Sequence, residues 1–398
     1  MTGTLYDCVV VGGGPSGATA ATDLARTGRS VLLLDRGGRI KPCGGAIPPR
    51  LIADFAIPDH LLVGRSAWAR MIAPSDRTVD MKVDLTGDGG FVGMVDRGEF
   101  DEWLRTRAAE AGAERRAGLF ERIERDAEGR AVVVYVEQRG GPEQRVTARC
   151  IIGADGARSR VARATFPDAE RMPCVFAYHE VIRSPVGADT SFDRSRCDVF
   201  YQDEFSPDFY AWVFPHGDTA SVGVGSANKG YALRDSVARL RARIGLDQCE
   251  TIRREGAPIP LKPLRKWDNG RDVLVTGDAA GVVAPASGEG IYYAMVAGRH
   301  AAEATAEFLQ TGRPKALGLA RKRFMRAHGQ VFRILGIMQY FWYRNDKRRE
   351  RFVAMCEDVD VQQLLWPAYM NKRLVYARPM AYARIFLKDM RHLMQTAG

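Results

Sequence analysis

Apolar positions come in two patterns along this chain. Asp7 to Val11 and Ser30 to Leu34 are short saturated runs, and the stretch between them, Ser16 to Thr27, carries alanine and leucine at helical spacing. The pattern predicts strand, helix, strand. Cys150 to Ile152 and Asp272 to Thr276 repeat the short β-rich run, and Phe100 to Ala111 predicts a further helix. Alternating stretches at Asp198 to Tyr201, Tyr210 to Phe214 and Ala220 to Gly225 predict strands of an antiparallel sheet. Beyond Ala294 the pattern is helical to the end, and no internal repeat or long low-complexity linker interrupts it.

Three of the saturated runs end in glycine loops: Gly12-Gly13-Gly14-Pro15-Ser16-Gly17, Gly153-Ala154-Asp155-Gly156, and Gly277-Asp278-Ala279-Ala280-Gly281. The first follows a strand and opens a helix, so its backbone can approach a pyrophosphate and aim helix N-terminal N–H groups at it. Asp35, with Arg36 beside it, closes the second strand near the spacing expected of an acidic group on ribose hydroxyls. Asp155 with Gly156 and Gly277 with Asp278 add strand-end loops, and Arg97 adds a cation just before the Phe100 helix. Together these segments predict a dinucleotide site, with FAD as the cofactor. Gly288, Gly290 and Ile291 open another helix, whose N-terminus would favour negative charge at a flavin, with Glu289 turned outward or capping its own helix. No second GxGxxG follows a strand, so no separate nicotinamide domain of that type is expected. The expected fold class is α/β, with a Rossmann-like FAD-binding domain (1–67, 96–165 and 264–310) that is discontinuous. An inserted antiparallel substrate domain (68–95, as a hairpin, and 166–263) and a helical C-terminal region (311–398) complete it.

The loops and the Arg97 segment resemble the para-hydroxybenzoate hydroxylase-like flavoproteins. Lys41 to Arg50, KPCGGAIPPR, resembles the geranylgeranyl reductase family within them, as do Tyr210-Ala211-Trp212-Val213-Phe214-Pro215, which fits its YxWxFP motif, and the tail around Met370-Asn371-Lys372. The resemblance implies FAD with NADPH as reductant. It also implies saturation of isolated prenyl double bonds, turning a geranylgeranyl group into a phytyl group on geranylgeranyl diphosphate or geranylgeranyl-(bacterio)chlorophyll. It makes Tyr210, Trp212, Phe214 and Pro215 substrate-binding, and Cys43, Gly44 and Gly45 a loop against the cofactor. An isolated alkene has no carbonyl to accept developing charge, so the site must supply a weak acid along with dryness and orientation. Cys43 is the candidate acid, since an ordinary thiol with a pKa of about 8.5 is mostly protonated near neutrality. An aromatic monooxygenase, a reductase of archaeal-type lipid or quinone chains, and a membrane-associated assembly protein with structural FAD are the alternatives; flavin halogenases carry WxWxIP instead.

Charge adds one element. Of the net +10, the whole excess lies between Arg313 and Arg351, where 12 Lys or Arg face two acids. Within that stretch Val331 to Tyr343 is apolar around most of a helical circumference. Such a segment fits either peripheral contact with an anionic membrane or a buried helix with solvated ends. Peripheral association on the cytoplasmic face of a photosynthetic membrane is the expectation. No spanning helix, secretory signal or nucleic-acid partner is expected. The seven cysteines are scattered without a CxxC pair, which favours a reducing compartment and argues against a zinc site. His179, Glu180 and His216 read as structural.

Overall fold

The computed structural model describes residues 4–37, 40–83, 90–185, 191–370 and 372. In chain order its strands begin with β1 (Leu5–Val11), β2 (Val31–Asp35), β3 (Ala46–Ile47), β4 (Leu62–Ser66), β5 (Trp68–Ile72), β6 (Thr78–Lys82), β7 (Val92–Val95), β8 (Glu114–Ala117) and β9 (Leu119–Arg125). They continue as β10 (Ala131–Val136), β11 (Glu143–Gly153), β12 (Cys174–Arg183), β13 (Arg196–Phe200), β14 (Ala211–His216), β15 (Thr219–Ser226), β16 (Thr251–Pro260) and β17 (Val273–Val275). The α-helices are α1 (Pro15–Ala25), α2 (Pro49–Phe55), α3 (Arg97–Glu110), α4 (Arg160–Thr165), α5 (Leu233–Arg243), α6 (Ile291–Thr311), α7 (Leu319–Trp342), α8 (Asp346–Met355) and α9 (Val359–Met370).

One compact unit comprises Met1–Gly45, Val95–Ala177 and Gly256–Phe332. Its sheet runs β8-β2-β1-β11-β10-β9, with β17 also beside β11. The pairs β8/β2, β2/β1, β1/β11 and β11/β17 are parallel. Cys8 to Val11, Val31 to Leu34 and Val273 to Val275 are buried on both faces, which is why these strands read as saturated runs. Helix α1 crosses α6 closely: a Cβ on Gly298 would stand 2.2 Å from the Ser16 carbonyl oxygen, so only glycine fits there.

The other unit comprises Ala46–Met94, Tyr178–Glu255 and Arg333–Gly398. The second large sheet runs β16-β12-β15-β14-β13-β5-β6. Pairs β13/β14, β14/β15 and β5/β6 are antiparallel, but β13/β5 is parallel, so the sheet is mixed where pure antiparallel pairing was expected. On one face Ala211, Val213, Val222 and Val224 pack with Val237 and Leu240 of α5. Alternation therefore sends Trp212, Phe214, Ser221 and Gly223 to the opposite face.

Residues 46–67, read from sequence as part of the cofactor domain, belong to this second unit, where β3, β7 and β4 form a small sheet. The hairpin expected over 68–95 is confined to β5 and β6; residues 84–89 lie outside the described residues. The helical region beginning at 311 is divided between units after Phe332. Of the Met370-Asn371-Lys372 tail, Asn371 lies outside the described residues, as do 373–398.

Helix α7 divides its apolar run by face. Val331, Phe332 and Leu335 are buried, whereas Ile337 is 61% and Tyr340 75% exposed. Tyr343, which follows the helix, is buried against Tyr201 and Phe352, with ring centroids 5.2 and 5.9 Å away. Arg349 is fully buried and donates to the Tyr343 carbonyl at 2.7 Å, so one of the basic residues counted in the charged stretch is an internal clamp. Among the described residues no helix is long and apolar enough to cross a membrane.

Candidate active site

The glycine loops meet at the carboxyl ends of β1, β11 and β17, the edge where open α/β sheets take ligands. Ala154 N–H donates to the Val11 carbonyl at 2.7 Å, and a Cβ on Gly12 (φ +106°) would lie 2.4 Å from the Ala154 oxygen. Side chains are excluded there by conformation and by space. Ser16 Oγ donates to Thr276 Oγ1 at 3.0 Å, and a Cβ on Gly277 (φ +64°) would lie 2.7 Å from Ser16 Cβ. A Cβ on Gly290 would come within 3.7 Å of Asp278 Oδ1, which brings the loop before α6 to the same place.

Gly14 differs from its neighbours. It caps α1 at φ −74° without a side-chain hydrogen bond, Pro15 occupies the first helical turn, and a Cβ on Gly14 would meet nothing within 4 Å. The cradle is thus tight beneath and open above a helix N-terminus whose first N–H groups lack intrahelical partners, an arrangement that fits a diphosphate.

Around the cradle the side chains are already engaged. Asp35 accepts from Gly13 N–H at 2.7 Å and Gly37 N–H at 3.1 Å, and Arg36 beside it is exposed. Arg105 stands 3.9 Å from Asp35 and donates to the Gly13 carbonyl at 3.4 Å. Sequence reasoning missed Arg105, although Arg97, Asp101 and Arg105 fall at the four-residue spacing of one helix face. Burial raises the Asp155 carboxyl, while Ser159 Oγ and the N–H groups of Val161 and Arg160 oppose the rise. Asp155 therefore holds the start of α4, and Gly156 (φ +85°) turns the backbone beside it. Asp278 pairs with Lys41, a second residue missed, whose signal was its place in the KPCGG run. Gly288 (φ +63°) and Gly290 precede Ile291 at the start of α6, and Glu289 Oε1 accepts from Tyr292 N–H at 2.8 Å, capping its own helix.

Arg97, at the first turn of α3, is 3% exposed and bonds Asp101 at 2.9 and 2.7 Å. Burial opposes its charge, but the Asp101 carboxylate outweighs burial and holds its pKa above the ordinary value, and the guanidinium also reaches the Cys43 sulfur. Gly45 (φ +70°) donates its N–H to Cys43 Sγ at 3.4 Å. Arg97 thus ties the Cys43-Gly44-Gly45 loop to α3.

In the second unit Tyr210, Trp212 and Phe214 form an aromatic row, with ring centroids 6.0 and 6.2 Å apart. Trp212 lies flat over Gly223: a Cβ there would be 2.1 Å from the indole. Pro215 is tolerated in β14 because β13 pairs only with Ala211 to Val213, so no ladder bond is lost on that side. His179 contacts Ser221 and Glu255, Glu180 pairs with Arg241, and His216 Nδ1 lies 3.1 Å from the Phe214 carbonyl. Among the described residues no group of three metal-ligating side chains is placed to hold an ion.

The chain is 56% identical to a geranylgeranyl diphosphate reductase of Rhodobacter capsulatus, over 98% of this chain and 97% of that one. It belongs to the geranylgeranyl diphosphate reductase family. A geranylgeranyl diphosphate reductase of Synechocystis is 35% identical over 97% of both chains. A geranylgeranyl bacteriochlorophyll reductase-like structure from Thermoplasma acidophilum superposes with a TM-score of 0.80 at 22% identity, covering 95% of this chain and 99% of that one. Family models for an NAD(P)-binding Rossmann-like domain, an FAD binding domain and a lycopene cyclase protein match residues 10–50, 57–175 and 231–387. As a member of the reductase family the chain is a flavoprotein oxidoreductase with an FAD binding domain.

Proposed function

We propose that this flavoprotein adds two hydrogens across isolated double bonds of a geranylgeranyl chain, producing a phytyl chain for (bacterio)chlorophyll, with NADPH as reductant. The observation that carries the reading is the convergence of the three glycine loops in the unit that also holds Cys43 against Arg97. When bound, FAD supplies hydride to carbon. The chain's residues do the remainder. Gly12, Gly14, Pro15, Ser16 and Gly17 seat the diphosphate on α1, Asp35 and Arg36 face the ribose, and Gly156, Gly277, Asp278, Gly288, Gly290 and Ile291 complete the cradle. Cys43 holds the proton destined for the second alkene carbon, in a loop shaped by Gly44 and Gly45 and braced by Arg97. Tyr210, Trp212, Phe214 and Pro215 offer an apolar wall for the prenyl chain, a surface that orients it and keeps out water.

Anaerobic turnover tests the reaction class. With NADPH and geranylgeranyl diphosphate, and in parallel geranylgeranyl-(bacterio)chlorophyll, the expected product carries one cofactor-derived and one solvent-derived hydrogen per reduced bond. A strict requirement for oxygen, or an oxygenated product, overturns the reading in favour of a monooxygenase. Peripheral association with an anionic membrane completes the proposal, supported by exposed Ile337, Tyr340 and Phe341 among exposed Arg333, Arg344 and Lys347. Each basic residue near such a surface contributes about 1 kcal/mol, screened by salt. Flotation with anionic vesicles should weaken in Arg333→Gln/Arg344→Gln/Lys347→Gln and in high salt; unchanged flotation removes the electrostatic part. Arg349 stays untouched in that variant because it is internal.

A further inference from the structure

Across the face of the second sheet that carries the aromatic row, four neighbouring strands contribute one polar chain. Glu255 on β16 lies 3.0 Å from His179 Nε2 on β12; His179 Nδ1 lies 3.1 Å from Ser221 Oγ on β15; and Trp212 Nε1–H on β14 donates to the same Ser221 Oγ at 3.1 Å. Arg253 Nε stands 2.8 Å from Oε1 of Glu255, the oxygen not facing His179. His179 and Ser221 are each 3% exposed, and Trp212 is 5%. A core that only needed filling would be served by apolar side chains here, since buried polar groups repay their desolvation only when fully bonded.

What the chain of contacts accomplishes is orientation. Gly223 gives the Trp212 indole a flat seat and does not distinguish one face of the ring from the other. The Ser221 bond does distinguish them, because turning the ring over would strand a buried N–H that can only donate. Ser221 Oγ accepts from the indole and shares a second hydrogen bond with His179 Nδ1, whose ring is flanked on its Nε2 side by Glu255.

We propose that Ser221, His179 and Glu255 are positioning residues that select one orientation of the Trp212 ring and thereby the placement of the prenyl chain. The inference rests on the reading of Trp212 as part of the substrate wall. The test is a double-mutant cycle on the FAD-loaded protein, with geranylgeranyl diphosphate as probe. Ser221→Ala should lower kcat/KM for alkene reduction by about tenfold, the loss expected for one stranded buried donor, and Trp212→Phe should lower it by a similar factor because the ring loses the bond that fixes its orientation. Because phenylalanine has no N–H, Ser221→Ala in the Trp212→Phe background should cost nothing more. Ser221→Thr, which keeps the hydroxyl, should restore most of the activity, and flavin reduction should stay at the wild-type rate throughout. The Trp212 signal, read as the wild-type minus Trp212→Phe near-ultraviolet dichroism, should change in Ser221→Ala and in His179→Asn. If that signal is unchanged, or the kinetic losses simply add, the positioning role is overturned. If Trp212→Phe itself reduces alkenes at the wild-type rate while the signal still responds to Ser221→Ala, the substrate-wall reading fails and the inference falls with it.

Discussion

Gly14→Ala separates cofactor binding from folding more cleanly than any other change in the first loop. At Gly12 a methyl would strike the Ala154 backbone at 2.4 Å and force a side chain into φ +106°, so a loss of FAD there would be confounded with damage to the protein. At Gly14 the backbone is at φ −74° and a methyl would meet nothing within 4 Å. Alanine is a poorer helix cap than glycine but restricts the unfolded chain, so the net change in stability should stay within about 1 kcal/mol. The same methyl would occupy the approach to the first N–H groups of α1. Displacing a diphosphate from even two charge-assisted hydrogen bonds, each about 1.5–3 kcal/mol, costs about 3–6 kcal/mol, or roughly two to four powers of ten in Kd. The assay pairs FAD titration of the apoprotein, followed by quenching of FAD fluorescence, with urea unfolding of the same preparation. Near-wild-type unfolding with FAD binding at least about a hundredfold weaker is expected. Stoichiometric FAD with a Kd within about threefold of wild type would refute the diphosphate seat on α1.

Three further outcomes follow from the geometry. Gly223→Ala should push the Trp212 indole off its seat and destabilise the protein by about 1–3 kcal/mol in urea unfolding, as overpacking does; wild-type stability would mean the ring has room to move. Burial raises Glu180, but the Tyr178 hydroxyl, Arg241 and Arg254 outweigh it and hold its carboxyl below the usual range, so its stabilisation is present above the unfolded value of about 4.3 and lost as pH falls through the lower folded value. Glu180→Gln should therefore cost about 3–5 kcal/mol at neutral pH by leaving Arg241 buried without its partner, and the gap to wild type should close in acid; a gap independent of pH contradicts the assignment. Cys43→Ser should leave flavin reduction by NADPH intact and slow alkene reduction, because a hydroxyl is a far weaker acid than a thiol; equal alkene reduction would return Cys43 to a packing role.

The meeting of the glycine loops was legible because its signals are local. Saturated runs ending in glycine, a proline at the start of a helix and an aspartate closing β2 each follow from backbone geometry within a dozen residues. What could not be read are pairings between distant side chains, namely Lys41 with Asp278, Arg97 with Cys43, and Glu255 with His179. No periodicity records which strands become neighbours. Arg349 shows the same limit from the other side: in sequence it is one of a run of solvated cations, and only the turn that buries Tyr343 turns it inward. Residues 46–67 read with the first domain, whereas in the fold they pack within the second compact unit.

Ser16 finds its hydroxyl partner at Thr276, and Gly12 leans on Ala154, so the cradle is closed by residues made long after it is opened. During synthesis the first loop leaves the ribosome long before β17 and the turn that follows it, which arrive only past residue 272. Until then a nascent chain exposes a glycine loop without its floor and an unpaired edge on β11, the kind of waiting state in which long-range parallel pairing is slow and sticky. FAD, which binds the finished site, then draws the population toward completed chains by mass action. A growth medium short of riboflavin should accordingly lower the yield of folded protein as well as its activity.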